Sequence, residues 1–248
     1  MDNNFSKYTK IRLIGEGTFG KAWLVRSHRS GRFYVTKEIN LKGMKRQEKL
    51  QAANEVAILS RLKHNNVIRY REAFTSAGLL HIVMEYADQG DLAQRIDHRR
   101  RNRGIGFSEE QVLDWTVQIC FALSYIHEQK ILHRDLKPAN IFLASTNLLK
   151  VGDFGIAKTL TNTLDQARTA IGTPYYLSPE ICRRKPYNQK SDVWAVGCIL
   201  YELVTLHHPF EAKDFSSLVM NILRGQYQSI PRQVSLSLFQ YSFYHIRR

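Results

Sequence analysis

Cysteine, acidic residues and long apolar runs are all scarce in this chain. Its three cysteines, Cys120, Cys182 and Cys198, include no CxxC pair. An odd number at such spacings fits neither a disulfide framework nor a zinc site. No run of eighteen apolar residues occurs, so no membrane-spanning helix is expected. The opening Met1-Asp2-Asn3-Asn4-Phe5-Ser6-Lys7 lacks the apolar core of a secretory signal, and the expectation is a soluble, intracellular protein. There is no internal repeat or low-complexity segment, which removes the repeat architectures.

Asp and Glu number 22 against 36 Lys and Arg, leaving a formal charge of +14 at pH 7. A basic surface attracts phosphate and carboxylate. The densest basic run is His98-Arg99-Arg100-Arg101-Asn102-Arg103. It has no interleaved aromatics and no groove-reading motif, and it reads as a solvated basic loop between a polar turn and a capped helix. Acidic or cytoskeletal partners suit this charge. Specific nucleic-acid binding and membrane association are not expected.

At 248 residues and 44% apolar content, the chain has material for one large domain or two small lobes. Residues 8 to 86 read as short strands with one helix among them. Tyr8 to Ile14, Ala22 to Val25, Phe33 to Ile39 and Leu79 to Met84 are runs of strand length. Lys42 to Lys63 carries Val56, Leu59 and Leu62 at helical spacing. The polar Glu85-Tyr86-Ala87-Asp88-Gln89-Gly90 reads as a connector. From Ser108 the period becomes helical. Ser108 and Gln111 form a capping-box pattern, and Val112, Trp115, Ile119, Leu123 and Ile126 follow on one face. The expected class is α+β, a small strand-rich lobe followed by a larger helical one.

The chemistry-bearing residues come in a fixed order. Gly15-Glu16-Gly17-Thr18-Phe19-Gly20 lies between two strand candidates, and its glycines let backbone N–H groups approach phosphates closely. Alone, this spacing also describes a plain turn. Gly15-x4-Gly20-Lys21-Ala22 nearly matches a Walker loop, but Ala22 offers no hydroxyl to a metal and the next residues read as strand. Lys37 follows the run Phe33-Tyr34-Val35-Thr36, and a buried ammonium needs a counter-charge. Glu55, one turn before Leu59, is the natural partner; a lysine snorkelling from a strand edge is the plainer alternative.

Further on, His133-Arg134-Asp135-Leu136-Lys137-Pro138-Ala139-Asn140 is followed by Asp153-Phe154-Gly155. These put an acid, a lysine, an amide and a second acid on two adjacent loops. Such groups orient a hydroxyl and hold magnesium against a triphosphate. Gly172-Thr173-Pro174-Tyr175-Tyr176-Leu177-Ser178-Pro179-Glu180 comes next.

In this order the signals resemble those of eukaryotic protein kinases. Their wording is most similar to the NIMA-related serine/threonine kinases, over residues 8 to about 230. The resemblance implies a bilobal kinase fold: an N-lobe over 1–86 with one key helix, a mainly helical C-lobe over 87–230 that is incomplete, and a divergent tail over 231–248. It implies ATP and Mg²⁺ as cofactors, and proteins with Ser or Thr acceptors as substrates. Cytoplasm, centrosome or ciliary base is the location it implies.

The same resemblance assigns roles to residues. Ile14, Gly15, Glu16, Gly17, Thr18, Phe19, Gly20 and Lys21 would cover the phosphates, and Lys37, held by Glu55, would grip the α- and β-phosphates. Adenine would lie between Ala22 and Val35 above and Phe142 below. Kinases usually carry valine and alanine at the first two of these positions; here they are exchanged with total volume kept. Met84 would be the gatekeeper, with the backbone of Glu85 and Ala87 along the adenine edge. Asp135 would accept the proton of the substrate hydroxyl, and Lys137 would face the γ-phosphate. Asn140 and Asp153 would hold two Mg²⁺ ions. Asp192 resembles the acid that anchors the catalytic loop's backbone, with a helix N-cap as its plainer role. Arg134, read as buried, would meet a phosphate on Thr169, ahead of Thr161 and Thr163. Thr173 would hydrogen-bond Asp135 and Lys137.

Some features depart from the family. After Pro231 polar and apolar residues alternate at period two, which suits a strand or exposed tail rather than the helices of relatives. Uncovered apolar surface on the C-lobe would follow. Glu180 would lack its usual arginine, with Arg247 or Arg248 as substitutes. The rival reading is therefore a truncated, weakly active or inactive kinase-like isoform that binds nucleotide or partners. Thr36 stands where relatives are apolar, and Asn65 where proline often follows His64.

Overall fold

The computed structural model describes residues 7–17, 20–102, 106–144, 147–153 and 175–229, apart from the side chains of Glu48, Gln51, Asn54 and Glu55. Thr18, Phe19 and Arg103 lie outside the described residues, as does the 154–174 segment with Phe154, Gly155, Thr161, Thr163, Thr169, Gly172, Thr173 and Pro174. So does the 231–248 tail with Arg247 and Arg248. The chain divides into two units, Met1–Asp88 and Gln89–Arg248.

The first unit is an antiparallel sheet of β1 (Tyr8–Gly17), β2 (Gly20–Ser27), β3 (Phe33–Asn40), β4 (Tyr70–Ser76) and β5 (Leu79–Glu85), in the order β1-β2-β3-β5-β4. Helix α1 (Arg46–Arg61) links β3 to β4. The helix is shorter than the charged stretch that predicts it, and Leu62 is buried just beyond its end. Strand β4 has no apolar alternation and escapes a sequence reading. It forms because Ala77 and Gly78, at φ 51° and 80°, close a two-residue hairpin onto β5, the backbone that a type I′ turn requires.

Alternation along β3 buries Tyr34, Thr36 and Glu38 and leaves Val35, Lys37 and Ile39 half-buried on the other face. The buried face is partly polar. Tyr8, Val25, Tyr34 and Val83 pack with Trp23 and Phe74. Arg71 donates to the hydroxyls of Tyr8 at 2.9 Å and Tyr34 at 2.6 Å, and Tyr8 donates to Glu72 at 2.6 Å. Burial and the Glu72 carboxylate push the Tyr8 phenol up to about 12. Glu38 meets Lys10 Nζ at 2.6 Å and His81 Nδ1 at 3.3 Å, so this buried acid is paired. The Thr36 hydroxyl, buried with its residue, has no hydrogen-bond partner among the described residues.

The second unit contains α2 (Leu92–Asn102), α3 (Glu109–Glu128), the hairpin β6 (Ile141–Ala144) and β7 (Leu148–Val151), α4 (Pro179–Cys182), α5 (Gln189–Thr205) and α6 (Phe215–Arg224). Helix α3 buries Val112, Trp115, Ile119, Leu123 and Ile126, as its period predicts. Its opposite side leaves Leu113, Val117 and Phe121 exposed. The Ser108 side chain accepts the Gln111 N–H, but the Gln111 side chain donates to Asn147 rather than returning to the cap. Half of the expected capping box therefore forms. Trp194, Cys198, Tyr201, Phe210, Leu218 and Ile222 make a core around α5 and α6. Among the described residues no helix is long and apolar enough to cross a membrane.

The basic run is not a loop. Residues 98–102 are the second half of α2, anchored by buried Leu92 and Ile96. Arginine is a good helix former, and two apolar anchors among so many cations are easily missed. Arg100 donates Nε to the carbonyl of Leu206 at 2.7 Å and pairs with Glu202 at 3.5 Å. Leu206 ends α5 in the left-handed conformation at φ 62°, so Arg100 satisfies the negative end of that helix. Arg100 and Arg101 also pair with Asp97, at 3.1 and 3.0 Å.

Candidate active site

The loop after α3 is shaped by two buried groups. Asp192 on α5 is fully buried, and its carboxylate accepts the N–H of His133 at 3.0 Å and of Arg134 at 3.1 Å. Asn188, not Asp192, caps α5 through a reciprocal box with Ser191, so of the two readings of Asp192 the loop anchor holds. His127 Nε2 lies 2.7 Å from its Oδ2, and the Tyr187 hydroxyl donates to Oδ1 at 2.5 Å. Burial alone would raise the Asp192 pKa, but the hydrogen bonds from His127, Tyr187 and the His133 N–H hold it below the usual carboxylate value. His127 and Tyr187 carry no motif signal in the sequence.

His133 is the second group. Its Nδ1 accepts the Asp135 N–H at 3.3 Å, and its Nε2 lies 3.1 Å from the Gly152 carbonyl. A carbonyl only accepts, so the proton sits on Nε2. Complete burial lowers the His133 pKa despite the carboxylates of Asp192, Asp135 and Asp153, which keeps the ring neutral. The Gly152 N–H in turn donates to the Asn140 carbonyl at 3.0 Å. These two bonds tie the 133–140 loop to the end of the β6–β7 hairpin, where Asp153 follows at φ 48° and is exposed.

Within that frame the predicted residues meet. The Asp135 carboxylate takes Lys137 Nζ at 3.2 Å and Asn140 Nδ2 at 3.1 Å on the same oxygen, Oδ2. Asn140 Nδ2 also donates to the Asp135 carbonyl at 2.7 Å. Both bonds fix the amide's orientation and leave its oxygen as an acceptor. Arg134 is half-buried at φ 65°, not buried as expected, so a counter-anion is not obligatory. Glu180 takes the hydroxyl of Ser191 rather than an arginine among the described residues. Tyr176 donates to buried Glu202, and Tyr175 stacks on His208 with centroids 3.8 Å apart.

The nucleotide-side candidates divide between the units. In the first unit, β2–β3 register sets Ala22 opposite Lys37, and β3–β5 register sets Met84 opposite Val35. By strand alternation these four share one face. Gly15, Glu16 and Gly17 pair with Ala22, Lys21 and Gly20. Glu16 and Lys21 form an exposed ion pair at 3.2 Å, and Ile14 is also exposed. At Gly20, φ 136°, a Cβ would lie 1.8 Å from the Glu38 carbonyl oxygen, so only glycine fits; at Gly15 the nearest atom would be 3.8 Å away. The Glu85 N–H is taken by the Arg69 carbonyl at 2.9 Å. Ala87 is buried, and half-buried Phe142 lies on β6 of the second unit.

Comparison with known proteins gives one answer. The protein kinase domain family matches residues 8–242, past residue 230 where the sequence reading ended the resemblance. Serine/threonine-protein kinase Nek1 of Mus musculus is 51% identical over 232 residues, 94% of this chain and 19% of that protein. Serine/threonine-protein kinase Nek5 of Homo sapiens is 50% identical over 225 residues, 90% of this chain and 31% of that protein. Serine/threonine-protein kinase Nek8 of Danio rerio is 43% identical over 235 residues, 94% of this chain and 33% of that protein. The chain thus spans a third or less of the length of these relatives.

Proposed function

Because this chain belongs to the protein kinase domain family, we propose that it transfers the γ-phosphoryl group of ATP to serine or threonine hydroxyls of protein substrates. The observation that carries this reading is the Asp135 carboxylate, held on one oxygen by Lys137 and Asn140. The same carboxylate would orient a substrate hydroxyl and accept its proton. Lys137, 40% exposed in its side chain, supplies positive charge where the phosphoryl group develops negative charge.

Asn140 and Asp153 suit a hard cation. The amide oxygen of Asn140 faces away from its own donated bonds, and Asp153 is an exposed carboxylate on the adjoining strand end. Mg²⁺ characteristically takes one or two protein oxygens and completes its shell with phosphates and water. Bound there, it would neutralise phosphate charge. On the first unit, Lys37 serves the phosphates and Ala22, Val35 and Met84 the base. The Glu85 N–H is taken by the Arg69 carbonyl, so the adenine edge would meet the backbone here through the Glu85 carbonyl and Ala87.

The test is incubation with radiolabelled ATP, Mg²⁺ and a peptide containing Ser, Thr and Tyr, followed by phosphoamino-acid analysis. Phosphoserine or phosphothreonine is expected. Label on tyrosine alone, or none on the peptide, would contradict the reading.

A further inference from the structure

Each oxygen of the buried Asp192 carboxylate meets two hydrogen-bonding groups, the full capacity of such a group. Oδ2 faces His127 Nε2 and the His133 N–H; Oδ1 takes the Arg134 N–H at 3.1 Å and the Tyr187 hydroxyl at 2.5 Å. Three of these four belong to α3 and the loop that follows it. Tyr187 comes from elsewhere, the 183–188 turn that joins α4 to α5.

That turn is tied to the stretch before it. The Lys185 N–H donates to the Glu180 carbonyl at 2.8 Å, and the Arg184 N–H to the Ile181 carbonyl at 2.9 Å. The Glu180 carboxylate takes the Ser191 hydroxyl, whose oxygen accepts the Asn188 N–H at 3.4 Å. Arg183, Arg184, Lys185 and Pro186 are all exposed, whereas Tyr187 is half-buried and its hydroxyl reaches a carboxylate with no exposure. An exposed turn thus sends one donor into the anchor of the loop that carries Asp135. Burial and the Asp192 charge push the Tyr187 phenol far above its ordinary value, so at neutral pH it keeps the proton that it donates.

From this geometry we infer that Tyr187 is a positioning residue for phosphoryl transfer: its hydroxyl fixes the rotation of the Asp192 carboxylate, hence the Arg134 amide and Asp135 beside it, and links that loop to the 175–182 stretch. The inference rests on the reaction proposed above. The terminal torsion of an aspartate is broad and two-fold, so donors on both oxygens are what hold it. Without the phenol, Oδ1 keeps only the Arg134 N–H, the longest of the four contacts. Arg134 stands at φ 65°, a state it is free to leave once that bond slackens. A shift of about 1 Å at the base is enough to slow transfer about 10²-fold.

The experiment compares the full chain with Tyr187→Phe, which keeps the ring and removes only the donor, and with Lys185→Ala on the same exposed turn. Amide hydrogen exchange over residues 131–136 is read by mass spectrometry, alongside steady-state transfer to a serine/threonine peptide and denaturant unfolding. In Tyr187→Phe, exchange in that loop should quicken at least about tenfold and kcat should fall at least about tenfold, with KM for ATP unchanged and the unfolding transition kept; Lys185→Ala should match the parent. Loop exchange unchanged in Tyr187→Phe overturns the inference, and that readout needs no phosphate transfer. Faster exchange at an unchanged kcat overturns it as well, as does an equal effect of Lys185→Ala. A loss of ATP affinity and of the unfolding transition together would mark a merely structural role and overturn it too. A parent chain that transfers no phosphate sinks the reaction itself, and the inference with it.

Discussion

The carboxylate of Asp192 holds the amide of Arg134 at 3.1 Å and thereby fixes a non-glycine residue at φ 65°, a backbone state that costs energy for any residue with a Cβ. That bond, with its twin to His133, sets where Asp135 stands. The site is positioned by a buried helix, not by the loop itself.

Asp192→Asn should place an NH₂ group against donors and lower stability by about 3 kcal/mol, with turnover down about 10²-fold. Denaturant unfolding and steady-state phosphotransfer measure the two effects. The depressed pKa gives this carboxylate a stabilising contribution that is complete above the ordinary unfolded value near about 4 and is lost as pH falls through the lower folded value. The variant should therefore lose less stability than the parent on acidification below about pH 4.

Thr36→Val should stabilise the first unit by about 1 kcal/mol, because a near-isosteric methyl replaces a buried hydroxyl without a partner among the described residues. A higher denaturant midpoint at unchanged slope would show it. A lower midpoint would mean the hydroxyl is satisfied.

Arg100→Leu and Arg101→Leu separate structural from solvated charge within one run. Arg100→Leu removes the bond to the Leu206 carbonyl and should cost about 1.5 kcal/mol. Arg101, 76% exposed in its side chain and paired only with Asp97 among the contacts described, should change stability by less than about 0.5 kcal/mol. Thermal unfolding of both variants checks the contrast.

Gly20→Ala drives a methyl into the Glu38 carbonyl and should destabilise the sheet by about 2–3 kcal/mol. Gly15→Ala meets only ordinary contact distance, so the fold should stand while ATP–Mg²⁺ binding weakens. Calorimetric titration alongside unfolding distinguishes the two glycines.

Much of this was legible beforehand. The apolar period of α3 names its buried face, and the order of the 133–140 and 153 signals places Asp135, Lys137 and Asn140 together. What escaped was set by tertiary partners. Strand β4 exists because β5 pairs with it, and α2 hides two apolar anchors under a run of cations. Gln111 leaves its own cap for Asn147, a residue 36 positions away. The Asp192 cluster could be half read: the acid stood out, but His127 and Tyr187 reach it only through the fold.

The most direct test of the central claim compares this chain with its Asp135→Ala variant for ATP–Mg²⁺ binding and for phosphate transfer to a serine/threonine peptide. The account predicts similar nucleotide affinity, an intact unfolding transition, and transfer reduced by about 10²–10⁴-fold. Transfer by the variant at the parent's rate would contradict it.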